Sequence, residues 1–193
     1  PADETITYDF WNGVFLRPFT GTVELDVPAA SCRILAARPL LSRPFLLSTS
    51  RHVSQGILEV KEESWDEQTR TLAGTSTVVA EDDYELRVVA RAPDSAWKVV
   101  QTYVSAADTA AGVTIAASAI NGLVRAKLRS PVSRDVQWAL RFMPGLMSAE
   151  PPGAVEDVSW RASADDDALI LKWQHVDGVQ CEITPGQSEP ILV

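Results

Sequence analysis

The side chains best suited to chemistry are few and scattered. The chain carries two histidines, His52 and His175, and two cysteines, Cys32 and Cys181. A histidine serves as a general base or a metal ligand when a second polar group stands within reach. His52 has Arg51 beside it but no second His or Cys nearby in sequence, so we read it as a polar residue at a loop or strand end. The cysteines offer one bridge, Cys32–Cys181. Closing so long a loop would contribute up to about 5 kcal/mol in the chain-entropy model. Two buried free thiols are the preferred reading, because cysteine is commonly buried unpaired. The acidic run Glu81-Asp82-Asp83 supplies oxygen ligands for calcium but lacks a spaced Asp-x-Asp-x-Asp loop, and reads as a solvated turn. A glycosidase needs two carboxylates about 5–9 Å apart, a separation that sequence does not give, and each acidic cluster here falls in a turn. Gly-x-Ser-x-Gly, glycine-rich phosphate loops and Cys-x-x-Cys pairs are absent from the chain. We therefore expect a non-catalytic chain with no cofactor and no metal.

The aromatic residues are the remaining candidates, because a sugar ring stacks on an exposed aromatic face. Trp65 falls in the polar stretch Ser64–Arg70 and is the better carbohydrate-binding candidate. Trp11 follows as either a packing aromatic or a sugar platform. Trp97 lines up with Val99, and Trp138 shares an alternating face with Val136, Leu140 and Phe142, so both read as core.

The elements that must position these residues are strands. Val23, Leu25 and Val27 alternate with Thr22, Glu24 and Asp26, the two-residue period of a half-buried strand. Pro28 ends it, since proline cannot donate to a ladder. Cys32 to Ala37 is apolar apart from Arg33, as in a strand covered on both faces. Asn12-Gly13 and Asn121-Gly122 signal hairpins, because both residue types tolerate positive φ. Leu40 to His52 is too apolar for a free linker and is expected to lie packed between two β-units. Strands are expected at Ile57–Lys61 and Thr71–Val79, then around Tyr84–Ala90, Trp97–Val104, Val113–Ala117, Val124–Arg129 and Val136–Phe142, with a turn at Ser64–Arg70. Only Ser105–Ala111 suggests a helical turn. About seven short strands with regular turn signals give an all-β, antiparallel, immunoglobulin-like sandwich.

Three regions follow: an N-terminal β-unit over 1–54, the sandwich over 55–144, and a Pro-rich linker with C-terminal strands over 145–193. Trp160, Leu171-Lys172-Trp173 and Val179–Ile183 resemble the opening strands of a fibronectin type III domain. Both ends look short of strands, which suggests that the terminal strands complete the N-terminal unit.

Hydrophobic content of 46% and charged content of 22% are those of an ordinary globular protein. A net charge of −9, with 17 Lys+Arg against 26 Asp+Glu, leaves no basic stripe for nucleic acid. No apolar run approaches the roughly 20 residues of a membrane-spanning helix. No basic segment followed by an apolar one marks a signal peptide. Localisation is left open.

One set of motifs points further. Asp9-Phe10-Trp11-Asn12-Gly13, then Pro28, Ser31-Cys32-Arg33-Ile34-Leu35 and Arg38-Pro39 resemble the C-terminal β-domain of α-galactosidase-like glycoside hydrolases, families 27 and 36 and their relatives. Leu46-Leu47-Ser48-Thr49-Ser50-Arg51-His52 looks like a segment that follows in some bacterial relatives. The resemblance covers roughly the first fifty-five residues and concerns packing, so it carries over no catalytic residue. In those enzymes a (β/α)8 barrel precedes the domain, and several of its strands come before this point, so the chain is expected to begin inside a domain. The resemblance implies a non-catalytic accessory domain that braces or caps a catalytic barrel, its partner being the catalytic domain of the parent protein. A carbohydrate-binding module and an immunoglobulin-like scaffold for protein contacts are the alternatives. An exposed apolar patch would favour the first, and coplanar exposed aromatics the second.

Overall fold

The structure is a computed structural model that describes residues 4–92 and 95–145, and the backbone of 156–162, 169–174, 180–183 and 191–192. It is all-β and antiparallel, as the sequence predicts. In chain order the strands of the first unit are β1 (Thr5–Asp9), β2 (Val14–Phe15), β3 (Leu35–Pro39), β4 (Phe45–Thr49), β5 (Val60–Asp66), β6 (Thr71–Val78), β7 (Tyr84–Val89), β8 (Arg91–Ala92), β9 (Ser95–Val104), β10 (Thr114–Ile120), β11 (Leu123–Arg129) and β12 (Arg134–Gly145). A short helix, α1 (Ala106–Ala110), is capped by Ser105, whose hydroxyl accepts from the Asp108 amide. The strands form three sheets, ordered β2-β1-β3, β10-β11-β7-β4 and β5-β6-β12-β9-β8. Residues 148–193 make a separate unit. Its strands β13 (Glu156–Ala162), β14 (Leu169–Gln174), β15 (Gln180–Ile183) and β16 (Ile191–Leu192) pair with one another in that order.

The sandwich follows from alternation. Tyr84, Leu86 and Val88 of β7 and Val124, Ala126 and Leu128 of β11 share one core with Leu72 and Val78 of β6 and with Val136, Trp138, Leu140 and Phe142 of β12. Each set sits at every second position, so one face of each sheet is apolar and the two faces close on each other. Trp138 is the largest side chain in this core, and Gly74 of β6 lies directly across the ladder from it. A Cβ at Gly74 would run into the indole and stand 2.5 Å from the Glu62 carbonyl oxygen, so the ring fits only because the side chain is missing. The indole Nε1 donates to the Ser76 hydroxyl at 2.9 Å, and Tyr84 shares that hydroxyl at 3.2 Å.

A second core lies on the other face of the four-stranded sheet. Phe45, Leu47 and Val89 pack there against Ile6 and Tyr8 of β1. The four-stranded sheet is thus the middle of three layers, which explains why all five residues of β4 are buried. The sequence predicts a packed connector here. The chain instead adds an edge strand, whose Leu46 faces the sandwich core and whose neighbours face β1.

Several expectations are corrected. Thr22–Val27 forms no strand despite its alternation, because among the described residues no segment pairs with it as a ladder, and Val23 and Val27 are left exposed. The Cys32–Ala37 segment becomes a strand only from Leu35. That strand is an edge with alternating exposure, not one covered on both faces. Gln55 to Glu59 is a turn, and the expected Ile57–Lys61 strand starts at Val60. That strand runs on to Asp66, so the expected Ser64–Arg70 turn shrinks to its last four residues, closed by Asp66 Oδ1 accepting from the Gln68 and Thr69 amides. At its end β12 runs through Pro144 to Gly145, the first residue of the region expected to be a Pro-rich linker. There it pairs with β9 alone, β6 having ended its pairing at Arg141, so a proline is tolerated. Asn121-Gly122 forms the predicted two-residue hairpin with φ of 51° and 72°, whereas Asn12 does not adopt positive φ.

Candidate functional site

The residues of the Asp9–Gly13 motif build a turn. Asp9 is buried, and its carboxylate accepts from the Asn12 amide at 3.2 Å and from Asn12 Nδ2 at 2.8 Å. Arg33 reaches the same carboxylate at 3.2 Å, so the two motifs singled out in the sequence meet as an ion pair. Trp11 stands at the tip, 57% exposed, edge-on to Phe10.

Beneath this turn lies a layer of charge between the first two sheets. The Arg87 guanidinium sits 4.1 Å from the centre of the Tyr8 ring, donates to the Thr49 carbonyl at 2.7 Å, and pairs with Glu85 at 2.9 Å. Arg125 holds the same Glu85 oxygen at 2.7 Å and donates to the Tyr8 hydroxyl at 3.3 Å and to the Gly13 carbonyl. One carboxylate between two guanidiniums that both contact an aromatic ring is a fastening, with every charge partnered.

Trp65 is not in a loop. It lies in β5, half-buried, and packs edge-on to Trp97 at 5.6 Å and against Phe142 at 6.2 Å. Its Nε1 donates to Glu67. The ring belongs to the edge of the sandwich core, as does Trp97, whereas Trp138 is fully buried inside it. Trp11 thus stands in the β1–β2 turn and Trp65 in a strand of another sheet, each ring against different aromatics, so the two form no shared platform. His52 is exposed in a turn, and Glu81 pairs with Arg129 at 2.8 Å. Cys32 is exposed, and the side chain of Cys181 lies outside the described residues, as does His175. Among the described residues no three His, Cys, Asp or Glu side chains converge as a metal site would require.

The feature that sequence reasoning missed is the loop from Val53 to Glu59. Its tip exposes two large aliphatic residues, Ile57 at 83% and Leu58 at 73%, with Val53 also exposed. Its base is locked. Gln55 adopts φ of 55° and Gly56 φ of 109°. The Gln55 side chain is buried, accepting from the Ser48 hydroxyl at 2.7 Å and donating to the Ile34 carbonyl at 3.3 Å. Glu59 is buried as well and accepts from the Thr49 hydroxyl. The Glu59 carbonyl takes the Thr77 amide at 2.8 Å, and Val60 donates to the Gly56 carbonyl at 3.0 Å. Beside the loop a groove of about 310 Å³ is lined by Ile57, Gly56 and Val60 and by the Arg38–Glu63 ion pair. The only sequence signal for this loop is Gln55-Gly56, a turn dipeptide just before an apolar run.

A second concave surface lies on the outward face of the five-stranded sheet, a trough of about 360 Å³ lined by Ser64, Ala73, Thr75, Tyr103, Gln137 and Ala139 among others. No family model, no curated protein and no solved structure matches the chain.

Proposed function

We propose that this chain is a non-catalytic accessory β-module that docks on and braces a neighbouring domain. The catalytic barrel of a glycoside-hydrolase-like protein is the partner to which the sequence resemblance points. The observation that carries the reading is the pair Ile57 and Leu58, almost fully exposed on a loop whose base is held by two buried polar side chains. Exposed aliphatics fixed in place mark a contact surface, because water opposes their exposure and a rigid loop loses little entropy on binding. The three-layer packing supports the same role, since the Arg87–Glu85–Arg125 cluster fastens the N-terminal sheet to the sandwich.

The test is binding of this chain to a separately produced (β/α)8 domain of an α-galactosidase-like enzyme, measured by calorimetry. The reading expects saturable binding that the double substitution Ile57→Glu, Leu58→Glu weakens by about 100-fold or more. Burying each residue is worth roughly 1.5–3 kcal/mol. Binding that the double variant leaves unchanged would sink the reading, as would no binding.

A further inference from the structure

The outward face of the five-stranded sheet carries a layout that the docking loop does not use. The register of the ladders sets it out in rows. Ser64 of β5 lies across from Ala73 of β6, Ala73 from Ala139 of β12, and Ala139 from Tyr103 of β9. This row is a floor of three small side chains that ends at an aromatic ring. On one side runs the row Asp66, Thr71, Arg141 and Gln101, and on the other Glu62, Thr75 and Gln137. Four strands about 4.8 Å apart make each full row roughly 14 Å long. The small floor residues leave the trough of about 360 Å³. Tyr103 is 43% exposed, and its hydroxyl is oriented by donating to Gln101, which also accepts from Arg141 at 3.3 Å.

We infer that this trough binds a neutral oligosaccharide chain laid across the strands, with Tyr103 as its stacking platform. A pyranose ring is apolar on its C–H faces and hydroxylated around its edge. The trough offers the complement: a flat floor of small side chains and an aromatic ring, flanked by planar carboxylate, amide and guanidinium groups that pair with neighbouring hydroxyls. Charge selects against other long ligands. The flanks hold two carboxylates and one guanidinium, and the chain carries a net −9, so a polyanion would be repelled. A lipid or a purely apolar ligand would strand the polar rows without partners.

The experiment is native affinity electrophoresis of the full chain through gels that contain soluble galactomannan, xylan, mixed-linkage β-glucan or starch. Two variants act on the trough without entering the core: Tyr103→Ala removes the platform, and Ala139→Trp fills the floor. Thermal unfolding of each is recorded alongside, and Gln137→Ala replaces a variant that fails to fold. At least one polysaccharide is expected to retard the wild type. Tyr103→Ala and Ala139→Trp should each weaken that retardation at least 10-fold, while the Ile57→Glu, Leu58→Glu variant keeps it. No retardation by any of the four, or retardation that survives both trough variants, overturns the inference. Because the docking residues lie outside the trough, this result and the barrel-binding result are read separately.

Discussion

Arg87→Met is the perturbation that tests most sharply how the three layers are held. Methionine keeps the aliphatic bulk and removes the charge. The Thr49 carbonyl loses a 2.7 Å donor and the Ser48 hydroxyl a 3.2 Å one. Tyr8 loses the nearer of the two cations over its ring and keeps Arg125 at 5.5 Å, while Glu85 keeps Arg125 at 2.7 Å. A buried acceptor left unpaired costs about 1–3 kcal/mol, and a desolvated cation–π contact is worth up to about 2 kcal/mol. Because Glu85 is not orphaned, we place the total at about 3–4 kcal/mol, near the low end for removing one partner of a buried ion pair. For a chain of this size that lowers the thermal midpoint by roughly 10 °C. The assay is urea and thermal unfolding of the 1–147 unit, with Arg87→Lys in parallel. Lysine should fall between the two, because it keeps the charge and loses the planar fork. A loss below about 1 kcal/mol for Arg87→Met, with an unchanged denaturant slope, would refute the claim that this cluster fastens the N-terminal sheet.

Other consequences follow from single contacts. Gly74→Ala puts a methyl group into the Trp138 indole and against the Glu62 carbonyl, and is expected to destabilise by about 1–3 kcal/mol, read as a lower urea midpoint. Burial pushes the Tyr84 hydroxyl up to about 12, with the Glu59 carboxylate adding to it. Between its unfolded value near 10 and about 12, the folded chain holds a proton that the unfolded chain has lost. Stability is therefore intact below pH 10 and falls by about 2–3 kcal/mol as the pH rises to 12. Tyr84→Phe should remove that part of the alkaline slope in a series of denaturant melts.

The strands with one buried face were legible in the sequence. β11 and β12 alternate because each buries one face in the sandwich core, β7 alternates because its second covered face carries the paired charges Glu85 and Arg87, and Asn121-Gly122 closes its hairpin because both residues reach positive φ. Where alternation and burial part, sequence reasoning misplaces the chain. β4 has no alternation because cores lie on both of its faces, so it reads as a connector. Thr22–Val27 has the alternation but, among the described residues, no partner to pair with, and a period of two does not make a strand without a ladder. Trp65 sits among polar residues in sequence, yet Trp97 and Phe142, brought in by β9 and β12, cover its ring. The Ile57-Leu58 tip was hidden for the opposite reason. Two adjacent aliphatics are ordinarily core, and only the locked backbone at Gln55 and Gly56 turns them outward. The trough depends on register across four strands, which no local stretch encodes.

The most direct test of the central claim is the calorimetric titration of the chain, wild type and Ile57→Glu, Leu58→Glu, into the (β/α)8 domain. The account predicts saturable binding for the wild type, a loss of about 100-fold for the double variant, and unfolding midpoints that agree, since neither tip residue is packed in a core. Equal affinities for the two proteins would contradict it.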